Sequence, residues 1–196
     1  MLVLIEVAMY IRNSHRLKKP MKVLYPGDCY VSNKDEYIGT LLGSCVAVCL
    51  YDPVNKVAGM NHFVLPGKLV QAHTKQKKSN AGDEEKELLK YGTRSIEKLI
   101  TQMEQYGKRE NIVAKIFGGG KVLDYQTTQY GISNMNVRIA KILLEMADIP
   151  IVSEDVGGTV ARKVMFDVAT GRAYCKQLTK IEEKDKTFTM ELSQFE

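Results

Sequence analysis

The sequence lacks the features that would announce several common functions. It has only four cysteines, Cys29, Cys45, Cys49 and Cys175, none in a Cys-x-x-Cys pair, and no histidine or carboxylate cluster of metal-binding type. No metal or cofactor is therefore expected. A chain of 196 residues can bury a core without disulfides, so the thiols are read as reduced and the protein as cytoplasmic. No apolar stretch is long enough to span a bilayer, since the run Met1 to Ile11 is short and broken by Glu6. Its basic residues follow the apolar run instead of preceding it, so it is read as a poor signal peptide, with an amphipathic membrane contact as the alternative. No internal repeat or low-complexity tract occurs.

Charge is also unhelpful to a nucleic-acid reading. The formal net charge is +5, but Arg12, Arg16, Lys18 and Lys19 against the single Glu6 supply most of it before residue 21. Lys75, Lys77 and Lys78 run directly into Asp83, Glu84 and Glu85, as a solvated loop does. No nucleic-acid partner is expected. Gly118-Gly119-Gly120-Lys121 is not a phosphate loop, because Lys115 stands where the first glycine belongs and Val122 where a magnesium-binding Ser or Thr would be. The glycines are read as allowing a close backbone approach or lining a site.

What is present is an ordinary globular composition, 44% hydrophobic and 26% charged, of single-domain length. Residues 1–20 are read as an arm, possessing no fold of their own or lying upstream of a start at Met21; residues 21–180 as the domain; and residues 181–196 as a tail. Val46–Tyr51 and Val57–Leu65 are valine-rich and separated by Asp52, Pro53 and Asn55, which predicts a β-hairpin. Lys68 to about Glu87 is polar and is read as a surface loop that could act as a lid. Leu88, Leu89, Ile96, Leu99, Ile100 and Met103 recur at helical spacing, with Gly107 available as a stop. Val113–Phe117 predicts a buried strand, and Ile139, Ile142, Leu143 and Met146 mark a second helix ending before Pro150. Strands at Ile149–Ser153, Lys163–Val168 and Ala173–Leu178 complete the pattern. It implies an α+β single domain, mixed β-sheet layers with helices packed on one face.

One constellation carries chemistry. Cys45 follows Gly43-Ser44 at the entry to a strand, where a nucleophile on a sharp turn would sit; a small buried side chain fits that position as well. If Asp52 to Asn55 form the hairpin loop, Tyr51 pairs with Lys56, and counting outward Cys45 pairs with His62 on the same face. A one-residue slip would separate them. An imidazole beside a thiol can take its proton and later deliver it to a departing amine, which suits amide hydrolysis. His15 and His73 lie in polar surroundings and Cys49 is read as packing; none is assigned a role.

The residues Thr40-Leu41-Leu42-Gly43-Ser44-Cys45-Val46-Ala47-Val48, followed by Gly59-Met60-Asn61-His62-Phe63-Val64-Leu65-Pro66, resemble the signature of the CheD family of chemoreceptor glutamine deamidases. Ala114 to Gly119, Asn136-Val137, Glu154 to Gly158 and Arg162-Lys163-Val164 extend the resemblance over Val23 to Leu178. It implies a cysteine hydrolase that converts receptor glutamines to glutamates through a thioester, with Cys45 as nucleophile, His62 as base and Thr40 orienting the imidazole. The segment from Thr40 to Cys45 is one residue shorter than in members with Thr-x-Gly-x-Gly-Ser-Cys. Backbone at Gly43 and Ser44, with Asn61, is the expected oxyanion and substrate-binding region. The implied partners are the cytoplasmic domains of methyl-accepting receptors and a CheC-type phosphatase. Two other readings stay open: a non-catalytic docking module for either partner, and a thiol hydrolase acting on another amide or ester.

Overall fold

The computed structural model describes residues 11–12, 19–67, 81–122 and 129–178. Among the described residues, two five-stranded mixed sheets, three α-helices and a short 3-10 turn (Arg109–Asn111) are formed. The first sheet has the order β1 (Ile11–Arg12), β2 (Met21–Val23), β4 (Tyr37–Leu42), β9 (Ala161–Asp167), β10 (Ala173–Leu178). The second has β3 (Cys29–Ser32), β6 (Val57–Asn61), β5 (Val46–Asp52), β7 (Val113–Gly118), β8 (Ile151–Val156). Helices α1 (Ala81–Leu88), α2 (Gly92–Met103) and α3 (Gln129–Met146) follow the hairpin and β7.

Strand alternation explains the layering. Along β5, Val46, Val48 and Leu50 join Ile96, Leu99, Ile139 and Leu144 in a core between the second sheet and the helices. The intervening Ala47 and Cys49 join Ile38, Leu42, Met60, Val164 and Phe166 in a core between the two sheets. A strand covered on both faces needs apolar residues at every position, and Val46 to Leu50 supply them. The helices thus lie on one face of the paired sheets, in agreement with the α+β expectation.

Several predicted boundaries move. The helix expected from Leu88 to Met103 is two helices, because the segment between them pairs with the chain that follows β6. The Lys90 carbonyl accepts the Val64 and Leu65 N–H groups, and the Gly92 N–H donates to Leu65 O at 2.7 Å. This tertiary pairing outcompetes helix continuation. α1 replaces the last part of the expected polar loop, of which residues 68–80 lie outside the described residues, as do His15 and His73. Strands β2, β3 and β4 had no sequence expectation; β2 and β3 are short, and β4 is buried at five of its six positions, leaving no polar alternation to read.

The hairpin register differs as well. Asp52 belongs to the strand and Lys56 to the turn, so Asp52 pairs with Val57 and Tyr51 with Ala58. The Asp52 carboxylate accepts the Val54 and Asn55 N–H groups, and Lys56 takes a positive φ of 52°. The expected pairing of Cys45 with His62 is therefore wrong by two residues. The register continues to Val46 opposite Phe63, which sets Cys45 across from Val64 and His62 across from Ala47. A slip of two preserves the face, so Cys45 and His62 remain diagonal neighbours on the side that meets the first sheet.

Candidate active site

His62 lies where the two sheets meet and is held from several directions. Its N–H donates to Asp28 O at 2.9 Å, and its carbonyl accepts the Gly27 N–H at 2.8 Å. Both partners belong to the loop joining β2 to β3. From the opposite sheet comes Thr40, which lies on β4 between Ile38 and Leu42 of the inter-sheet core. Thr40 Oγ1 is 2.9 Å from Leu24 O and 2.8 Å from His62 Nδ1. A carbonyl only accepts, so the single hydroxyl proton goes to Leu24 O and Nδ1–H donates to Thr40. The proton is thereby placed on Nδ1, and Nε2 carries the lone pair.

Nε2 is buried and takes no hydrogen bond among the described residues, the Cys45 thiol included. Burial holds the ring's pKa down at about 4, against the opposing pull of the Leu24 carbonyl and the Asp28 charge. The imidazole is neutral at physiological pH, with a bare acceptor. Burial likewise pushes the Cys45 thiol up to about 11, opposed by its own backbone N–H. The resting pair is a neutral thiol and a neutral imidazole, and thiol–imidazole hydrogen bonds of this kind commonly form only once substrate is bound.

The turn that presents Cys45 is fixed by the end of β7. Gly119 N–H donates to Cys45 O at 2.7 Å, and Gly120 N–H to Gly43 O at 2.8 Å. Gly118 has φ 106°, and a Cβ there would stand 2.2 Å from Cys45 O. Only glycine permits that approach. The triple glycine is thus the close-approach element, as read from sequence. Val46 and Phe63 exchange both backbone hydrogen bonds at 3.1 and 3.0 Å, fixing the other side.

The structure brings Cys45, His62 and Thr40 to one region and separates Asn61 from them. Asn61 Oδ1 accepts the Val48 N–H at 2.8 Å, filling a place in the sheet ladder where β6 turns away. By alternation its side chain falls with Gly59 and Phe63 towards the helices, which removes the basis for a substrate contact. Gly43 and Ser44 remain beside Cys45, but their carbonyls face Gly120 and the Asn136 amide. The Cys45 N–H is the available donor: no carbonyl among the described residues accepts it, and it lies against its own sulfur. Sequence reasoning did not identify Asn136 or the Leu24 carbonyl as parts of the site. Asn136, like Ser133 one turn earlier, is a polar residue on the buried face of α3, and that placement becomes visible only once the helix is packed; a main-chain oxygen leaves no signal at all. Behind the glycines, buried Arg162 holds Asp155 at 2.7 Å and the Gly157 carbonyl at 2.8 Å, tying β9 to β8.

Among the described residues no group of three or more His, Cys, Asp or Glu could hold a metal ion. No helix among them is long and apolar enough to cross a membrane.

Comparison with known proteins bears on the family of the chain. The family model described as CheD chemotactic sensory transduction matches residues 73–177, a span that begins after His62. Whole-chain relatives reach further. The chain is 38% identical over 176 residues to a probable chemoreceptor glutamine deamidase CheD of Vibrio vulnificus (strain CMCP6), covering 88% of this chain and 79% of that protein. A Saccharophagus degradans protein of the same description is 37% identical over 164 residues, covering 83% and 72%. A CheD 2 protein of Shewanella oneidensis is 41% identical over 155 residues, covering 76% and 73%. On the family model and the identity and extent of these relatives, this chain belongs to the CheD family.

Proposed function

We propose that the protein hydrolyses the side-chain amide of glutamines in methyl-accepting chemotaxis receptors, with Cys45 as nucleophile, His62 as general base and then acid, and Thr40 as the group that orients the imidazole. The observation that carries this reading is the bare, buried Nε2 of His62, whose tautomer is set by Thr40 and Leu24 on the face that Cys45 shares. The relatives' descriptions supply the substrate class.

With the glutamine amide bound, Cys45 Sγ attacks the carboxamide carbon as its proton passes to Nε2. Neither ionised form is favoured at rest, so proton transfer accompanies attack rather than preceding it. Charge developing on the carbonyl oxygen is met by the Cys45 N–H. The tetrahedral intermediate collapses, the C–N bond breaks, and Nε2 returns the proton to the leaving nitrogen, releasing ammonia and leaving a thioester. Water then adds to the thioester with Nε2 taking its proton. Collapse expels the thiolate, which recovers that proton, and glutamate is the product. Through both half-reactions Thr40 keeps the Nδ1 proton in place, and in the imidazolium it accepts the hydrogen bond of a charged donor.

The test is intact-mass analysis of a glutamine-containing receptor cytoplasmic fragment incubated with wild-type or Cys45→Ala protein. A gain of about one dalton per site, present only with the wild type, is the expected result for replacing an amide by an acid through the cysteine. A folded wild-type protein that leaves every receptor fragment unchanged would sink the deamidase reading and favour a docking role.

A further inference from the structure

Asn136 lies on α3 and is fully buried, yet nothing in the reaction outlined above uses it. Its Nδ2 donates to Ser44 O at 3.2 Å and to Val64 O at 2.8 Å, while Oδ1 has no partner among the described residues. The two carbonyls can only accept, so the amide nitrogen must face them. Both amide hydrogens are engaged and the acceptor is idle, so the side chain serves as a double donor. Its two acceptors are not arbitrary. Ser44 precedes the cysteine, and Val64 is the residue that the hairpin register sets across from Cys45.

We infer that Asn136 is a positioning residue for the reaction proposed for Cys45 and His62: it fastens the cysteine turn to the segment after β6 that carries the histidine. Asn136 adds a tie at Ser44 that the neighbouring backbone contacts do not make. Cys45 O and Gly43 O are held by glycine N–H groups from β7, and the Val46 and Phe63 main chains hold each other. Among the described residues, only the Asn136 amide bridges the Ser44 carbonyl to the Val64 carbonyl beyond β6. Cys45 Sγ and His62 Nε2 lie on diagonal positions with no hydrogen bond between them at rest, so their productive approach depends on the relative placement of these two segments. α3 sets that placement from outside the sheet.

Two substitutions test this. Asn136→Leu removes both donors while keeping the branching and heavy-atom count of the side chain. Asn136→Asp keeps the shape, and its carboxyl, raised by burial, offers an O–H donor when protonated and none when ionised. In receptor-fragment deamidation, Asn136→Leu should lower kcat at least about tenfold with KM within about twofold. For Asn136→Asp, the ratio of its kcat to that of wild type should rise as the pH is lowered from about 8 to about 5.5. Amides of residues 43–46 and 63–65 should exchange with deuterium faster in both variants at pH 8, while β9 keeps its protection. A kcat within twofold of wild type in both variants overturns the inference, as does a loss in Asn136→Asp that is the same at both pH values. If wild-type protein itself forms no glutamate, the deamidase reading fails, and exchange alone decides: unchanged protection at residues 43–46 and 63–65 overturns the inference, and localised loss supports it.

Discussion

Burying an imidazole in neutral form makes the fold sensitive to acid, and the size of that sensitivity follows from His62. The ring titrates at about 4 in the folded protein, against an ordinary value of 6.5 in an unfolded chain. Between those values the unfolded chain binds the proton and the folded protein does not, so stability falls as pH drops through 6.5 towards 4. Below 4 both states are protonated and this contribution levels off. At about 1.4 kcal/mol for each unit separating the two values, the loss reaches about 3 kcal/mol by pH 4, a substantial fraction of a typical domain's stability. His62→Gln removes the titration. Urea unfolding at pH 7.5 and pH 4, followed by circular dichroism, should show wild-type protein losing about 3 kcal/mol more than the variant across that interval. Other titrating groups are common to both proteins and cancel in the comparison. Parallel losses in the two proteins would refute the claim that His62 is buried neutral.

Thr40→Val keeps the side-chain shape but leaves Leu24 O without its hydroxyl and His62 Nδ1–H without an acceptor. It should cost about 2 kcal/mol in urea unfolding and lower kcat about ten- to a hundredfold, with Thr40→Ser restoring most of both. Gly118→Ala would drive a Cβ to 2.2 Å from Cys45 O at a φ of 106°. A loss of more than about 2 kcal/mol by thermal unfolding is expected, together with loss of ammonia release; a stable, active variant would show that the turn is not held by that approach. Asp155→Asn deprives buried Arg162 of its countercharge while leaving its carbonyl partners. It should destabilise by about 3 kcal/mol in urea, and a change below about 0.5 kcal/mol would mean that solvent screens the pair.

Legibility in the sequence followed the range of the interaction. Val46 to Leu50 declared a buried strand because continuous burial demands continuous apolar residues, and the Cys45 and His62 segments were recognisable because both lie in one hairpin. Even the register error left them on one face, since alternation has a period of two and the true offset differed by two. By contrast, β2 and β3 were too short to carry a pattern, and the helix break before Gly92 reflects hydrogen bonds to Val64 and Leu65 that no local rule foretells. Asn61 was misplaced for a related reason. Its amide substitutes for a ladder bond at the point where β6 leaves the sheet, a departure imposed by the loop containing Gly27 and Asp28.

The sequence by itself determined the α+β class and the presence of the hairpin, because these depend on local periodicity and turn chemistry; the register that sets the thiol and imidazole on one face came from the fold. Only the tertiary structure decided that Thr40 reaches His62 from the opposite sheet, that Gly118 and Asn136 grip the cysteine turn, and that the Cys45 thiol and His62 ring rest neutral. Those outcomes depend on how two sheets and a helix stack, for it is stacking that removes water from the thiol and the ring and brings together donors and acceptors distant along the chain.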